Sequence, residues 1–473
     1  MLTGEQYTQS LFDGRATFFE GKRVDDLPSH PLLGIAVQNV ADGYDWLAGQ
    51  AVDGVNPMLG VPTTAEQLRA KVELVHRAGM IAHVSYTSVM TLATAAGRLA
   101  DAAPDGSLAH YIARMDAFVA DAQARDVRIT QCITDAKGNR SLGPLQQDDP
   151  DAYVRVVERR PDGVVLRGAK LHITAASFGH ELMTIPTKAM KPGEEAYAIA
   201  ACIPVNAPGV KIINTTYASR HADLRDFPVS GPEHFPEGFV IFDDVFVPYE
   251  RVFLDGETAL AAVFAHSLGL WERLGGLAAM ADGADVLVGL AQLMAEANGL
   301  AKVAHVREKI SEMIIHATVV RACLEAALTH AETGVFGAAF PNELYTNAGK
   351  YTGAASYNLM VRHLHDIAGA AVVTAPSIAD LENAEVGHLA VKYMSTGDAV
   401  DGEYRTRLFH AIRDLTADAY GGWTQVTNVQ AGGGLYAQRI VTRKHYDMAS
   451  AKDAALRVAG LAGASDRSGS RGV

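Results

Sequence analysis

The chain of 473 residues contains only three cysteines and carries no excess of positive charge. Cys132, Cys202 and Cys323 are far apart and odd in number, so a disulfide framework is excluded and we expect reduced thiols, as in a cytoplasmic protein. The formal net charge of −13 argues against nucleic acid as the main partner, because phosphate binding requires clustered lysine and arginine.

Long apolar runs and nucleotide-binding loops are also missing. No stretch approaches the roughly 20 uninterrupted apolar residues of a membrane span. The segment Met1–Tyr7 lacks the charged and apolar regions of a signal peptide. Gly432–Gly434 is not followed by the Lys-Ser or Lys-Thr of a phosphate loop, and no glycine-rich turn follows a clear first strand. We therefore expect a cytoplasmic protein that does not bind membranes and has no NAD(P)H site of its own.

The pattern along the chain indicates an α+β fold in three parts. Residues 1–130 have mainly helical periodicity, with Thr63–Glu66 resembling a capping box at a helix start. Residues 131–265 consist of short β-rich runs broken by proline and glycine. Residues 266–473 return to alanine-rich helices typical of a bundle, followed by a frayed tail. We predict an N-terminal helical domain, a central β domain and a C-terminal helical bundle with these boundaries.

Two neighbouring runs carry most of the chemical information. Gln131–Arg140 places a threonine beside a Gly-Asn turn, which offers hydroxyl and backbone N–H groups to a polar ring edge and an arginine to an anion. In the second run, Val164–Leu166 and Leu171–Thr174 alternate as two strands joined by Arg167–Lys170, which predicts a β-hairpin. A flat apolar wall with a few donors at its edge is what a flavin requires.

Further segments complete a recognisable pattern: Ser10–Arg15, His30-Pro31, Val156–Gly163, Val240–Arg251 and Ala431–Gly434 with Ala437–Arg439. Together with the two runs they resemble the flavoproteins that comprise 4-hydroxyphenylacetate 3-hydroxylase oxygenases and 4-hydroxybutyryl-CoA dehydratases, which share the acyl-CoA dehydrogenase fold. The resemblance covers nearly the whole chain. It implies that the central domain is a β-barrel and that FAD is the cofactor.

The resemblance also implies which residues contact the flavin: Thr134, Lys137, Gly138, Asn139, Arg140, Thr174, Lys302 and Gly433. Lys302 would pair with the pyrophosphate, and the glycine triplet would let backbone approach the flavin of a neighbouring subunit. In the alternative interpretation, none of these residues contacts a flavin. The loop is then an ordinary turn with Arg140 in a surface ion pair, Lys302 is a solvated helix lysine, and the glycine triplet is a simple loop.

The dehydratase branch of this family holds a four-iron cluster with three thiolates and an imidazole. Alignment with that pattern places Ser85, Val89, Leu270 and Leu277 at the four ligand positions, and Thr427 at an expected glutamate. We therefore expect no iron–sulfur cluster and no metal site, and a radical dehydration is disfavoured.

The oxygenase branch grips a phenol through an arginine, a tyrosine and a histidine. Here the histidine position is Gln131, which cannot act as a base near neutral pH, and the arginine-tyrosine element has no counterpart in residues 83–91. Gln131, Tyr86 and His83 are the nearest catalytic candidates, although a lone Tyr or His beside apolar residues more often packs in a core. Trp271 is a pocket wall or a core residue, and Glu237 is a retained site carboxylate or a solvated strand end.

The resemblance, with no NAD(P)H site, implies an FADH2-dependent monooxygenase that acts on an aromatic or heteroaromatic small molecule. Reduced flavin would come from a separate reductase, and the chain would form a homotetramer. Two alternatives stay open. One is a cluster-free flavin-dependent isomerase or lyase on an acyl-CoA-type substrate, and the other is a non-catalytic flavin-binding paralogue.

Overall fold

The structure, a computed structural model, describes residues 1–51, 54–78, 80–217, 223–232, 235–334 and 337–461, apart from the side chains of residues 80–85. The first part of the chain is mainly helical, and it also contributes two short strands. Its elements are α1 (Gly4–Ser10), β1 (Ala16–Phe19), β2 (Lys22–Arg23), α2 (Leu33–Ala48), α3 (Ala65–Ala78), α4 (Met80–Ala102) and α5 (Ala109–Arg125).

The predicted helix start near Thr63 is confirmed, but the capping residues are shifted by one position. Helix α3 begins at Ala65, and the Thr64 hydroxyl accepts the backbone N–H of Gln67 at 3.2 Å. The Gln67 side-chain oxygen in turn accepts the Thr63 backbone N–H at 2.8 Å. Thr64 and Gln67 therefore cap the helix, rather than Thr63 and Glu66, because the chain becomes helical one residue later than the pattern indicates.

The middle of the chain forms two sheets packed face to face. Its strands are β3 (Ile129–Cys132), β4 (Arg155–Arg160), β5 (Gly163–Thr174), β6 (Glu181–Thr184), β7 (Ile199–Pro204), β8 (Val210–Thr215), β9 (Glu237–Pro248) and β10 (Val252–Asp255). One sheet has the order β2-β1-β8-β9-β5-β4, and the other has the order β10-β7-β6-β3. Apolar side chains from both sheets, including Val164, Leu182 and Phe242, form the core between them.

The structure does not confirm the expected β-barrel, because the two sheets are not closed into one. Among the described residues, a single isolated bridge, between Asp135 and Lys170, pairs the loop that follows β3 with β5. Closure would require continuous strand pairing around the whole layer. The strands instead form an open two-sheet sandwich with its apolar faces turned inward.

The predicted β-hairpin is wrong, because Gly163–Thr174 is one continuous strand, β5, which pairs with β9 along its length. The glycine that suggested a turn lies at a register shift: Gly168 has φ 130°, and a Cβ there would lie 2.8 Å from the Val154 Cα. A second shift lies between Lys170 and Ile173, where His172 has φ 60°. Two β-bulges therefore replace the turn, and they change the direction in which the last side chains of β5 point.

The last part of the chain is a helical bundle with one small hairpin. Its elements are α6 (Ala261–Ala297), α7 (Ala304–Thr329), β11 (Glu332–Thr333), β12 (Ala339–Phe340), α8 (Glu343–Ala368), α9 (Ala371–Thr374), α10 (Ile378–Leu381), α11 (Gly387–Met394), α12 (Gly402–Thr416), α13 (Ala419–Gln430), α14 (Leu435–His445) and α15 (Met448–Val458). By length and composition alone, the segment Thr258–Ala297, which includes α6, is long and apolar enough to cross a membrane, and 44% of its most apolar window is buried inside the protein. Helix α6 packs against α4, α7 and α8, and is the central helix of the bundle.

Candidate functional site

Gln131 lies at the end of β3, where the sheet layer meets helices α4 and α6. The side-chain amide of Gln131 matches the donors and acceptors around it in one of its two orientations. In that orientation the amide nitrogen donates to Glu272 Oε1 at 2.7 Å. The amide oxygen then accepts the Ser88 backbone N–H at 3.3 Å and the Thr87 hydroxyl. Gln131 therefore connects strand β3 to a carboxylate on the central helix of the bundle.

A fully buried lysine lies close to this carboxylate. Lys350 of α8 is 0% exposed, and its Nζ donates to the Asn428 carbonyl oxygen at 2.6 Å. Burial lowers the pKa of Lys350 to about 8, while the negative charge of Glu272 opposes that change. The carboxylate and the amine thus interact electrostatically inside the protein.

The loop between α13 and α14 covers the same part of α6. Gly432 has φ 71°, and its carbonyl oxygen accepts Arg273 Nε at 2.8 Å. A Cβ at Gly432 would lie 2.9 Å from the Arg273 Cγ, so only glycine allows this close approach. Gly433, with φ 88°, follows in the same loop. The glycine triplet therefore packs against the α6 helix of its own chain, beside Glu272.

A second carboxyl group, Glu237, lies at the other end of the sheet-to-bundle junction. The Thr174 hydroxyl lies 3.1 Å from its Oε1 and 3.0 Å from its Oε2, and Trp423 Nε1 donates to Oε1 at 2.8 Å. Burial raises the pKa of Glu237, and the hydrogen bonds from Trp423 and Thr174 act in the opposite direction. Glu237 is therefore a hydrogen-bonded carboxyl group between β9 and α13, and not a solvated strand end.

Helix α13 connects Glu237 to Lys350, the buried lysine whose pKa Glu272 affects. It contacts Glu237 through Trp423 and Lys350 through Asn428, five residues or about 7.5 Å further along the helix. Between them, the Thr424 Oγ1 is buried without a hydrogen-bond partner. The ends of β3, β5 and β9 on one side, and α6 and α13 on the other, therefore border a junction with converging polar groups. We call it the sheet–bundle crevice.

Positive charge collects beside the loop that follows β3. Lys137 has φ 69°, and its pKa is lowered first by burial and then by the nearby charges of Arg140, Lys170 and Lys188, while Asp135 raises it. The pKa of His172 is lowered by burial and by Lys137 and Arg140. Such a cluster suits an anion, because a bound negative charge would relieve the repulsion between the cations.

The other predicted residues of this loop have structural partners. Gly138, with φ 51°, is exposed, and the N–H of Asn139 donates to Gln147 Oε1 at 2.9 Å. Thr134 is half-buried, and its carbonyl oxygen accepts the Leu171 N–H at 2.7 Å. Thr134 thereby fixes this loop to the bulge of β5.

Tyr86 is buried at 1% exposure, and its hydroxyl oxygen has no hydrogen-bond partner. The Lys71 Nζ lies 5.0 Å from its ring centroid, and burial lowers the pKa of Lys71 to about 7. Trp271 packs edge-on against the same ring at 5.9 Å and donates its Nε1–H to Thr94 Oγ1 at 2.8 Å, so it is a core residue. His83 lies within α4, and its side chain is outside the described residues.

The positions aligned with the cluster ligands of the dehydratases are filled by packed apolar side chains. Val89, Leu270 and Leu277 are 0%, 1% and 0% exposed and belong to two apolar cores, while the side chain of Ser85 is outside the description. In the described part of the chain, no three His, Cys, Asp or Glu side chains are grouped so that they could hold a metal ion.

Lys302 lies far from Glu272 along the chain of helix α6. It is exposed in the connection between α6 and α7. The 25 residues of α6 that follow Glu272 span about 38 Å. Within one chain, Lys302 is therefore remote from the crevice.

Sequence reasoning missed Glu272, Lys350 and Lys71. One signal was available for Glu272: α6 is almost entirely apolar in its first half, yet it contains Glu272 and Arg273 followed by Gly275-Gly276. A charged pair and a glycine pair inside a buried helix each require a specific neighbour. Lys71 and Lys350 resemble ordinary helix lysines in the sequence.

Polar groups that converge where a sheet layer meets a helical bundle are typical of an enzyme that holds its ligand between these layers. Residues 3–254 match the family described as 4-hydroxyphenylacetate 3-hydroxylase N terminal, and residues 261–460 match its C-terminal counterpart. The chain therefore belongs to the 4-hydroxyphenylacetate 3-hydroxylase family.

Relatives within this family carry out two kinds of chemistry. The chain is 26% identical to 4-hydroxybutyryl-CoA dehydratase/vinylacetyl-CoA-Delta-isomerase of Clostridium aminobutyricum, over 98% of this chain and 100% of that protein. It is also 26% identical to the oxygenase component of 4-hydroxyphenylacetate 3-monooxygenase of Thermus thermophilus, over 89% of each chain.

A solved structure shares the whole fold. It is the oxygenase component of a 4-hydroxyphenylacetate 3-monooxygenase in complex with FAD, with a TM-score of 0.85 over 99% of each chain. The sequence identity is 23%, so this likeness shows the fold alone.

Proposed function

We propose that this chain is the oxygenase component of a two-component monooxygenase that uses reduced FAD and O2 to hydroxylate an aromatic or heteroaromatic small molecule. One observation carries the proposal: both halves of the family match in order, and the sheet–bundle crevice between them contains flavin-compatible donors. A separate reductase supplies the reduced FAD, and the enzyme works as a cytoplasmic homotetramer.

The residues of the crevice fit FAD. Thr134 and Thr174 are half-buried and carry hydroxyl groups at the sheet side, where a ring edge requires hydrogen bonds. The cationic loop with Lys137 and Arg140 provides charge for a pyrophosphate. The buried Thr424 hydroxyl of α13 has no hydrogen-bond partner and provides a further polar group on the bundle side. When bound, FAD supplies the reactivity toward O2 that amino-acid side chains lack.

The residues of the protein bind, orient and shield the substrate. The apolar pair Tyr86 and Trp271 packs α4 against α6 and keeps water away from the substrate side of the crevice. Gln131 holds the substrate beside Glu272, since it is the polar side chain of β3 that reaches the bundle. Glu237 and Trp423 keep α13 closed against the sheet.

The test is to load the protein anaerobically with reduced FAD and mix it rapidly with oxygenated buffer while recording the flavin spectrum. The proposal predicts a long-lived, spectrally distinct species before oxidised FAD appears, and its faster decay when a hydroxylatable aromatic compound is added. Reduced FAD that oxidises as fast as it does free in solution, or that fails to bind, would overturn the proposal.

One observation favours a second candidate, a cluster-free isomerase or lyase on an acyl thioester. The dehydratase relative matches 98% of this chain, and Glu237 places a carboxyl group of raised pKa in the crevice, where it could move a proton. Binding of oxidised FAD together with turnover of a butenoyl-CoA would support it. Flavin binding with neither activity would indicate a non-catalytic paralogue.

A further inference from the structure

The apolar surface of α6 is interrupted on one face. Glu272, Gly275 and Gly276 are spaced three and four positions apart and therefore lie on the same side of the helix. All three are partly exposed, whereas the adjacent Trp271 and Leu274 are completely buried. Glu272 is therefore a partly exposed carboxylate on a helix whose neighbouring side chains are buried.

Gln131 limits what this face can do chemically. Its amide oxygen accepts two hydrogen bonds, from Ser88 and Thr87, which fills the two lone pairs of an amide oxygen. Gln131 therefore cannot accept a hydrogen bond from a substrate, and an amide cannot take up a proton. Glu272, the carboxylate that accepts the Gln131 N–H, can both accept a hydrogen bond from a substrate and take up its proton.

Glu272 also interacts electrostatically with a buried lysine on α8. The negative charge of Glu272 acts on the buried amine of Lys350, whose alkyl chain packs against Gly276. A Cβ at Gly276 would lie 2.7 Å from the Lys350 Cε, so the glycine is required for the lysine to lie there. One turn of α6 thus brings together a partly exposed carboxylate and a buried amine.

We propose that Glu272 is the catalytic base of this site and accepts the acidic proton of the substrate. This inference rests on the proposed function, and it assigns to Glu272 the task that Gln131 cannot perform. The O–H or N–H bond of the substrate breaks, the electron pair stays on the substrate oxygen or nitrogen, and the proton bonds to a carboxylate oxygen of Glu272. The proton leaves to water after turnover.

A substrate class follows from this role. A base is useful only when the substrate arrives with its proton in place. The substrates are therefore weakly acidic phenols or N–H heteroaromatic compounds that are neutral at physiological pH. A phenol that is already ionised requires no base, and its turnover does not depend on the charge of Glu272.

The test compares Glu272→Gln with the wild-type enzyme on two probes, phenol itself and 4-nitrophenol at a pH where the nitrophenol is ionised. Gln keeps the size of the side chain and an oxygen for the Gln131 N–H. We expect kcat for phenol to fall by about 100-fold or more, the usual contribution of a general base. The value for ionised nitrophenol should change by less than about 5-fold on the same argument. Glu325→Gln is the matched control, because Glu325 lies on α7 and forms an exposed ion pair with Arg69.

The outcomes separate this inference from the function on which it rests. Equal losses on both probes would show a structural role for Glu272 and overturn the inference, while the monooxygenase function would stand. Wild-type enzyme that forms no hydroxylated product from either probe, although reduced FAD binds, would contradict the proposed function on these substrates and the inference with it. The binding of reduced FAD to Glu272→Gln, measured by fluorescence, checks that the variant has kept its fold.

Discussion

The ammonium group of Lys170 lies 2.8 Å from the carboxylate of Asp135, at the isolated bridge between the two sheets. Both side chains are 2% exposed, and the Lys170 Nζ also donates to the carbonyl oxygens of Ile133 and Ile185 at 2.9 Å each. Lys170 thus bonds to the residues on both sides of Thr134 in the chain, and the ion pair holds the start of the cationic loop against β5.

Lys170→Met should destabilise the protein by about 3–5 kcal/mol, because it leaves the Asp135 carboxylate buried without its cation. Chemical denaturation measures this loss. Lys211→Met provides the control, since Lys211 pairs with Asp243 on the surface, where an ion pair contributes about 0–1 kcal/mol. If the double variant with Asp135→Leu were no more stable than the single one, the buried charge would not be the cause.

Trp423→Phe should loosen the sheet–bundle crevice. The indole N–H donates to Glu237 at 2.8 Å, and its loss removes one of the two side-chain donors to a largely buried carboxyl group. We expect a loss of about 1–3 kcal/mol in unfolding free energy. If FAD binds in the crevice, its affinity should fall as well. Trp46→Phe, at a surface tryptophan that is 37% exposed, should change neither quantity.

Lys71 should make stability depend on pH on the alkaline side. Burial lowers its pKa from the ordinary 10.5 to about 7 in the folded protein, so between these values the unfolded chain binds the proton more strongly. Stability should therefore rise with pH from about 7 toward 10.5, by up to about 1.4 kcal/mol per pH unit. Lys71→Met should remove this rise, and Lys392→Met, at an exposed position, should retain it. Parallel stability curves for all three proteins would contradict the assignment.

Local patterns predicted the order of helices and strands, because periodicity is a property of neighbouring residues. The same patterns failed where the role of a residue depends on distant contacts. Gly168 reads equally well as a turn or a bulge, and its pairing with β9 decides between them. The bond between Gln131 and Glu272 joins residues 141 positions apart, and no local motif encodes it. Lys302 lies at the remote end of α6, which only the helix length shows.

Assembly should depend on the outer face of α6 and α7, where apolar side chains are exposed in the single chain. Ile315 is 63% exposed and Val319, one turn further, is 43% exposed, and Val286 of α6 is 52% exposed. Large apolar side chains exposed in this way are what a subunit interface would bury. Ile315→Lys with Val319→Lys should lower the solution mass of the proposed tetramer, as measured by light scattering. Leu145→Lys, at an exposed position before β4, should leave the mass unchanged. An unchanged mass in both variants would exclude this face from the assembly.

Gly432→Ala and Gly460→Ala form a matched pair that isolates the contact between the α13–α14 loop and α6. The two glycines have nearly the same left-handed backbone, with φ 71° and φ 69°, so alanine introduces similar backbone strain of about 1 kcal/mol at each. Their surroundings differ. A Cβ at Gly432 would lie 2.9 Å from the Arg273 Cγ and 3.3 Å from the Glu272 Cβ, whereas at Gly460 nothing lies within 4 Å.

Gly432→Ala should therefore cost about 1–3 kcal/mol more than Gly460→Ala, the usual price of overpacking a well-packed contact. Thermal unfolding of both variants measures the difference. Because the clash displaces the segment that carries Glu272, Gly432→Ala should also reduce turnover, while Gly460→Ala should not. Equal stability and equal turnover in the two variants would mean that the loop moves aside freely, and that its contact with Arg273 does not position α6.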